Sequence, residues 1–151
     1  MVVLNKLWKR QMIEYKVIGP KSKARKTVEA LLPSMIKQLK LASTNWAICI
    51  TVESGDKDNC GYTAPVPFLD RTLSIMVNSK QSTYQVAVTL AHELVHAKQI
   101  VSGKLVPGIA GVKATTWCGK KYRSNTPYLN QPWEVAAFSQ QELLVRRALS
   151  E

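Results

Sequence analysis

A chain of 151 residues holds one domain's worth of sequence, enough for a single core and too short for two comfortable ones. Its 46% hydrophobic and 21% charged residues exclude a disordered tail, and no apolar run approaches the length of a membrane span. The formal net charge of +11 makes a polyanion such as nucleic acid a plausible partner, although lysines that are merely solvated for solubility would give the same balance.

Met1 to Trp8 has an apolar flavour but lacks the continuous apolar stretch and small-residue cleavage site of a secretory signal. Cys49, Cys60 and Cys118 are an odd, widely spaced set that forms neither a disulfide framework nor a Cys-x-x-Cys metal site. A reducing cytoplasm is the expected location. Ten of the twenty-one Lys and Arg residues lie in the first forty positions, with Lys21, Lys23, Arg25 and Lys26 tightly grouped. Any nucleic-acid contact is therefore expected in this basic N-terminal portion, about residues 1–41.

In chain order, Ile13, Tyr15 and Val17 alternate as in a strand until Gly19-Pro20. From about Ser22 to Leu41, Val28, Leu31, Leu32, Met35, Ile36 and Leu39 follow helical spacing. Pro33 should kink that helix or begin a second one. Trp46 to Val52 is a β-branched run that predicts a buried strand, and Glu53 to Asp70, rich in Gly, Asp, Asn and Pro, predicts a loop. Leu73 to Val77 gives another short strand. Ser82 with Gln85 forms a capping box opening a helix to about Ser102, where Gly103 ends it. Val112 to Trp117 and Lys120 to Arg123 predict a hairpin turning at Cys118-Gly119. Pro132 then starts a last helix whose Val135, Phe138, Leu143, Leu144 and Leu149 offer apolar contacts. The expected class is α+β, in one domain spanning 1–151.

The helix from Ser82 carries Ala91-His92-Glu93-Leu94-Val95-His96, a His-Glu-x-x-His pattern. At about 100° per residue, His92 and His96 differ by only about 40° and can converge on one ion, while Glu93 stands near it without being forced to ligate. Val86, Leu90, Leu94, Ala97 and Val101 fall roughly opposite the histidines and would anchor the helix in the core. Zinc accepts neutral imidazole and carboxylate, and a catalytic site uses three protein ligands with a fourth place for water.

Because the chain has only two histidines, the third ligand must be a carboxylate or a cysteine. Glu134, in the first turn of the last helix, is the best placed. Its competing role is a dipole-complementing acid that touches no metal. Asp70 and Cys118 remain outside alternatives, and Glu142 reads as a solvated-face residue. Tyr122 or Tyr128, between the two helices, would offer a donor to a developing oxyanion.

This arrangement resembles the gluzincin class of zinc metallopeptidases, in which a second helix supplies a glutamate ligand after the His-Glu-x-x-His helix. More narrowly, three runs resemble small metallopeptidases of bacteriophages and prophages: His92 to Gln99, Trp117-Cys118-Gly119-Lys120-Lys121-Tyr122, and Pro132-Trp133-Glu134-Val135-Ala136-Ala137. The resemblance covers about residues 82–138. It implies a zincin-like domain with one Zn²⁺ on His92, His96 and Glu134, and Glu93 as the general base. The protein would hydrolyse peptide bonds, in the host cytoplasm if phage-encoded. Larger members place an acid one turn after the ligating glutamate to orient a histidine, whereas Ala137 and Phe138 occupy that neighbourhood here. A backbone carbonyl is the expected substitute.

Four further expectations complete the reading. Leu73 to Val77, if it is a sheet edge, would pair with an extended peptide. The basic surface would suit a protease recruited to DNA, like the SprT-like proteases. Amide cleavage in peptidoglycan is a second enzymatic alternative. A non-catalytic, zinc-stabilised interaction module is the third reading, although the intact Glu93 favours catalysis.

Overall fold

The computed structural model describes residues 12–108 and 114–151. The expectations for Met1 to Trp8 and for Val112 lie outside them. Strand β1 (Glu14–Ile18) leads into helix α1 (Lys23–Gln38), whose N-cap Ser22 accepts a hydrogen bond from the Arg25 amide at 3.0 Å. Pro33 does not break this helix. It lies on the exposed face, opposite a buried stripe of Val28, Leu32, Met35 and Ile36. The carbonyl of exposed Glu29, which loses its helical partner, can therefore turn to water.

Strands β2 (Ala47–Glu53), β3 (Gly61–Pro65) and β4 (Thr72–Asn78) complete a four-stranded sheet in the order β1-β2-β4-β3. The first three strands in that order run parallel, and β3 pairs antiparallel with β4. Ile48, Ile50 and Val52 of β2 and Leu73, Ile75 and Val77 of β4 are buried in the core, while Cys49, Thr51 and Ser74 between them are only half-buried. The main core therefore lies on one face of the sheet, although Met76, on the face of Ser74, is buried too.

Two expectations change here. The segment 53–70 is not all loop, since Glu53 ends β2 and Gly61–Pro65 form β3. And β4 is not an edge: it lies between β2 and β3, which leaves β3 as the free edge on that side among the described residues. The mostly apolar run of β4, interrupted only by Ser74 between Leu73 and Val77, is that of an interior strand, whose two neighbours shield its backbone.

Helix α2 (Thr83–Val101) follows, with Ser82 Oγ accepting from the Gln85 amide at 3.1 Å as its cap. A three-stranded antiparallel sheet comprises β5 (Leu105–Val106), β6 (Thr115–Trp117) and β7 (Lys120–Tyr122). Its two-residue turn puts Cys118 and Gly119 at φ 49° and 84°, the pair of positive values that matches the twist of a tight hairpin. A short 3₁₀ turn (Tyr128–Asn130) then leads to helix α3 (Pro132–Leu149), with Pro132 in its first turn.

The apolar stripe of α3 differs from the expected one. Trp133, Ala137, Leu144, Val145 and Ala148 are buried, whereas Val135, Phe138, Leu143 and Leu149 are exposed. Helices α2 and α3 pack together extensively, and α1 touches both. Three α-helices and a small mixed sheet make this an α+β fold. No helix among the described residues is long and apolar enough to cross a membrane.

Candidate metal centre

Helix α2 is buried nearly all round. Val86, Leu90, Leu94 and Ala97 are fully enclosed on its core side, and His92, Glu93 and His96 are buried as well. Burying three ionisable groups on one helix turn is unfavourable unless each finds a partner, so their surroundings reveal their use.

His92 Nε2 and His96 Nε2 lie 3.2 Å apart, and Glu134 Oε1 lies 2.8 Å from the first and 3.0 Å from the second. The structure thus brings together the three residues singled out as ligands. They form a group able to hold a metal ion. Asp70 is exposed and stands 4.0 Å from Arg71, while Cys118 is a free, exposed thiol in the hairpin turn. Glu142 faces solvent. None of these three belongs to the group.

The outer ring nitrogens explain why a cation fits. His92 Nδ1 is 2.8 Å from Gln141 Oε1, and His96 Nδ1 is 2.8 Å from Gln99 Oε1. An amide oxygen only accepts, so each Nδ1 donates and each neutral imidazole directs the Nε2 lone pair inward. Two lone pairs and a carboxylate oxygen therefore converge where a proton or a metal must balance them. Donor atoms around a tetrahedral zinc, at about 2.0–2.1 Å from the ion, are about 3.3 Å apart. The three here need to separate by only a few tenths of an ångström.

Gln99 and Gln141 take the orienting role expected of a backbone carbonyl. They escaped sequence reading because an uncharged side chain gives no ligand signal. Their spacing was the available hint: Gln99 is three residues after His96, and Gln141 is two helical turns after Glu134. Phe138, one turn after Glu134, sets its ring edge-on to His92 at 4.8 Å between centroids, so no acid orients that histidine from this position.

Electrostatics follow from burial and these contacts. Burial would raise the Glu134 carboxyl, but when Nε2 of each ring carries a proton in place of a metal, the hydrogen bonds from His92 and His96, the charge of His96 and the bond from Tyr128 overcome it and hold the pKa at about 2. Burial works against a protonated His96, yet its bonds to Glu134 and Gln99 outweigh that and lift its pKa above the ordinary value. For Glu93, burial dominates and raises the pKa. Opposing it, Thr63 Oγ1 donates to Glu93 Oε1 at 2.8 Å.

Thr63 belongs to β3, and the close approach of that strand to α2 needs a glycine. A Cβ on Gly61 would stand 2.6 Å from the Met76 carbonyl oxygen and 2.7 Å from Thr89 Cγ2. Gly61, Glu93, His92, Tyr128 and Phe138 all line a cleft of about 470 Å³. The two tyrosines separate here. The Tyr128 hydroxyl donates to Glu134 Oε1 at 2.9 Å, whereas Tyr122 packs edge-on against Trp133 at 5.5 Å, with Lys120 Nζ 5.2 Å from its ring, and does not line the cleft.

No protein family matches the chain, nor does any curated protein or solved structure.

Proposed function

We propose that this chain is a zinc-dependent endopeptidase of zincin-like architecture, using one ion on His92, His96 and Glu134. The observation that carries the reading is the convergence of two imidazole lone pairs and a carboxylate beside a fourth buried ionisable group, Glu93, which lines the same cleft. A purely structural zinc site closes its coordination and has no use for such a base. Zinc, among divalent ions, best suits two imidazoles and one carboxylate.

Bound zinc would supply an acidified water and a polarised carbonyl. Glu93 takes the proton from the attacking water and passes it to the departing amine, a task for which burial brings its pKa closer to neutrality. Thr63 keeps the carboxylate aimed. The Tyr128 hydroxyl, which donates to Glu134 Oε1 and lines the same cleft, would be the donor to the oxygen that gains charge. An extended substrate pairs with the free edge of β3, which enters the cleft at Gly61. This replaces the pairing expected of β4.

The test is digestion of an unstructured protein such as casein by the zinc-loaded chain. Cleavage should stop with chelator and return with zinc. The Glu93→Gln variant should keep its ion and lose hydrolysis by about 10³-fold or more, in keeping with general-base loss plus mispositioned water. Hydrolysis by that variant at the wild-type rate would refute the peptidase reading and favour an interaction module.

A second element, recruitment to nucleic acid, is favoured by the distribution of charge. No acidic residue occurs from Leu94 to Trp133, and Lys104, Lys120, Lys121 and Arg123 are exposed in or beside the three-stranded sheet. The polyanion surface would thus include the hairpin as well as the N-terminal portion. Binding to duplex DNA that weakens steeply with added salt, and weakens further in Lys121→Glu with Arg123→Glu, supports it; binding unaffected by either leaves the charge to solubility.

A further inference from the structure

We infer that Gln99 is a positioning residue that ties the tautomer of His96 to the seating of the helix carrying Glu134. The effect on zinc affinity rests on the metal-centre reading, the tie between Gln99, His96 and Trp133 does not, and neither rests on any peptidase activity. Gln99 is 5% exposed and makes two hydrogen bonds in opposite directions. Its Nε2 donates to the main-chain carbonyl of Trp133 at 3.0 Å, and its Oε1 lies 2.8 Å from His96 Nδ1.

The order of these bonds is fixed by chemistry. A main-chain carbonyl only accepts, so the amide NH₂ must face Trp133 and the amide oxygen is the end left for His96. His96 therefore carries its proton on Nδ1, and Nε2 presents a lone pair to the cluster. Trp133 precedes Glu134, so a single buried side chain connects the second donor to the backbone beside the third. A shift of α3 along α2 would draw the amide with it, and the ring would follow.

Gln141 makes a useful contrast. Its oxygen orients His92 in the same way, but it is only half-buried and its amide nitrogen makes no side-chain or backbone bond among the described residues. Water can replace such an acceptor more readily than the enclosed one. Both glutamines orient without adding charge, so Glu134 supplies the only negative charge among the ligands and their orienting groups.

The experiment uses the full chain with ¹⁵N-labelled histidine at alkaline pH. Long-range ¹H–¹⁵N correlations of the metal-free protein report the His96 tautomer, and competition with a chromophoric chelator gives zinc affinity. Wild type should show His96 protonated on Nδ1. Gln99→Leu should lose that uniform signature and bind zinc about 10–100-fold more weakly, while Gln141→Leu should lose less. Gln99→Glu keeps an acceptor for Nδ1 but repels the Trp133 carbonyl. It should retain the tautomer and bind zinc with intermediate affinity.

The inference is overturned if folded Gln99→Leu keeps both the Nδ1–H tautomer and an affinity within about twofold of wild type, against the 10–100-fold expected of an orienting group. Should the leucine variant fail to fold, an Nε2–H tautomer in Gln99→Glu or in wild type overturns it equally. A wild-type protein with the Nδ1–H tautomer but no zinc binding would refute the metal-centre reading and leave the positioning role standing. Zinc binding without proteolysis would refute only the peptidase reading.

Discussion

Helices α2 and α3 bring the cluster together from very different settings. Thirteen of the nineteen residues of α2 are buried, against five of the eighteen in α3. The histidines and Glu93 are consequently placed by the core itself. Glu134 is placed by a narrow seam around Trp133 and Ala137, reinforced by two glutamine amides that cross between the helices. Damage to α2 should therefore appear as lost stability, and damage to α3 as lost metal with the fold intact.

The largest effect that would sharpen this contrast is on zinc affinity. Glu134→Ala removes one of the three proposed ligands and should weaken zinc binding by more than the roughly 100-fold ceiling of orienting groups, while the metal-free protein, which loses the contacts of this carboxylate with His92, His96 and Tyr128, still folds and is destabilised less than by a core truncation. Leu90→Ala, deep in α2, should instead destabilise the fold by about 2–5 kcal/mol by thermal or denaturant unfolding. Equal destabilisation by both changes would break the comparison.

Next in size is Gly61→Ala. The added methyl has backbone on one side and the Thr89 methyl on the other, so β3 must retreat from α2. A loss of about 1–3 kcal/mol is expected, with a fall in hydrolysis from separating Thr63 and Glu93. Thr63→Val is gentler. Without the hydroxyl the Glu93 pKa rises further, so the acidic limb of the rate profile should move to higher pH while zinc affinity stays unchanged.

The smallest effects are those of pH on the metal-free protein. Glu134 is depressed to about 2 in the fold, so its stabilising contribution is complete above the ordinary carboxyl value of 4.5 and is lost as pH falls through about 2. His96 is raised, so its contribution is complete below 6.5 and is lost as pH rises through its folded value. Zinc must displace that proton. Its affinity should therefore increase with pH across the same window, with proton release measurable by calorimetry in buffers of different ionisation enthalpy.

The elements with strong periodicity were legible in the sequence. The cap at Ser82, the hairpin turn at Cys118-Gly119 and the start of α3 at Pro132 lie where local chemistry puts them. The cluster able to hold a metal was legible too, because the His-Glu-x-x-His spacing and the shortage of histidines point to His92, His96 and a carboxylate such as Glu134. Strand β3 was hidden because Gly61 and Pro65, which usually mark turns, bound a five-residue edge strand whose pairing comes from β4 rather than from its own propensity. The buried face of α3 was misjudged for a related reason. Its small residues Ala137 and Ala148 are buried, while the larger Phe138 turns toward the cleft. Tertiary contacts decided those positions, and no local signal carries them.

Anomalous X-ray scattering from crystals of the zinc-loaded protein, recorded on either side of the zinc absorption edge, examines the central assertion most directly. The account predicts one strong peak per chain, at bonding distance from His92 Nε2, His96 Nε2 and a Glu134 oxygen. A peak on other residues, or none between those three, would contradict it.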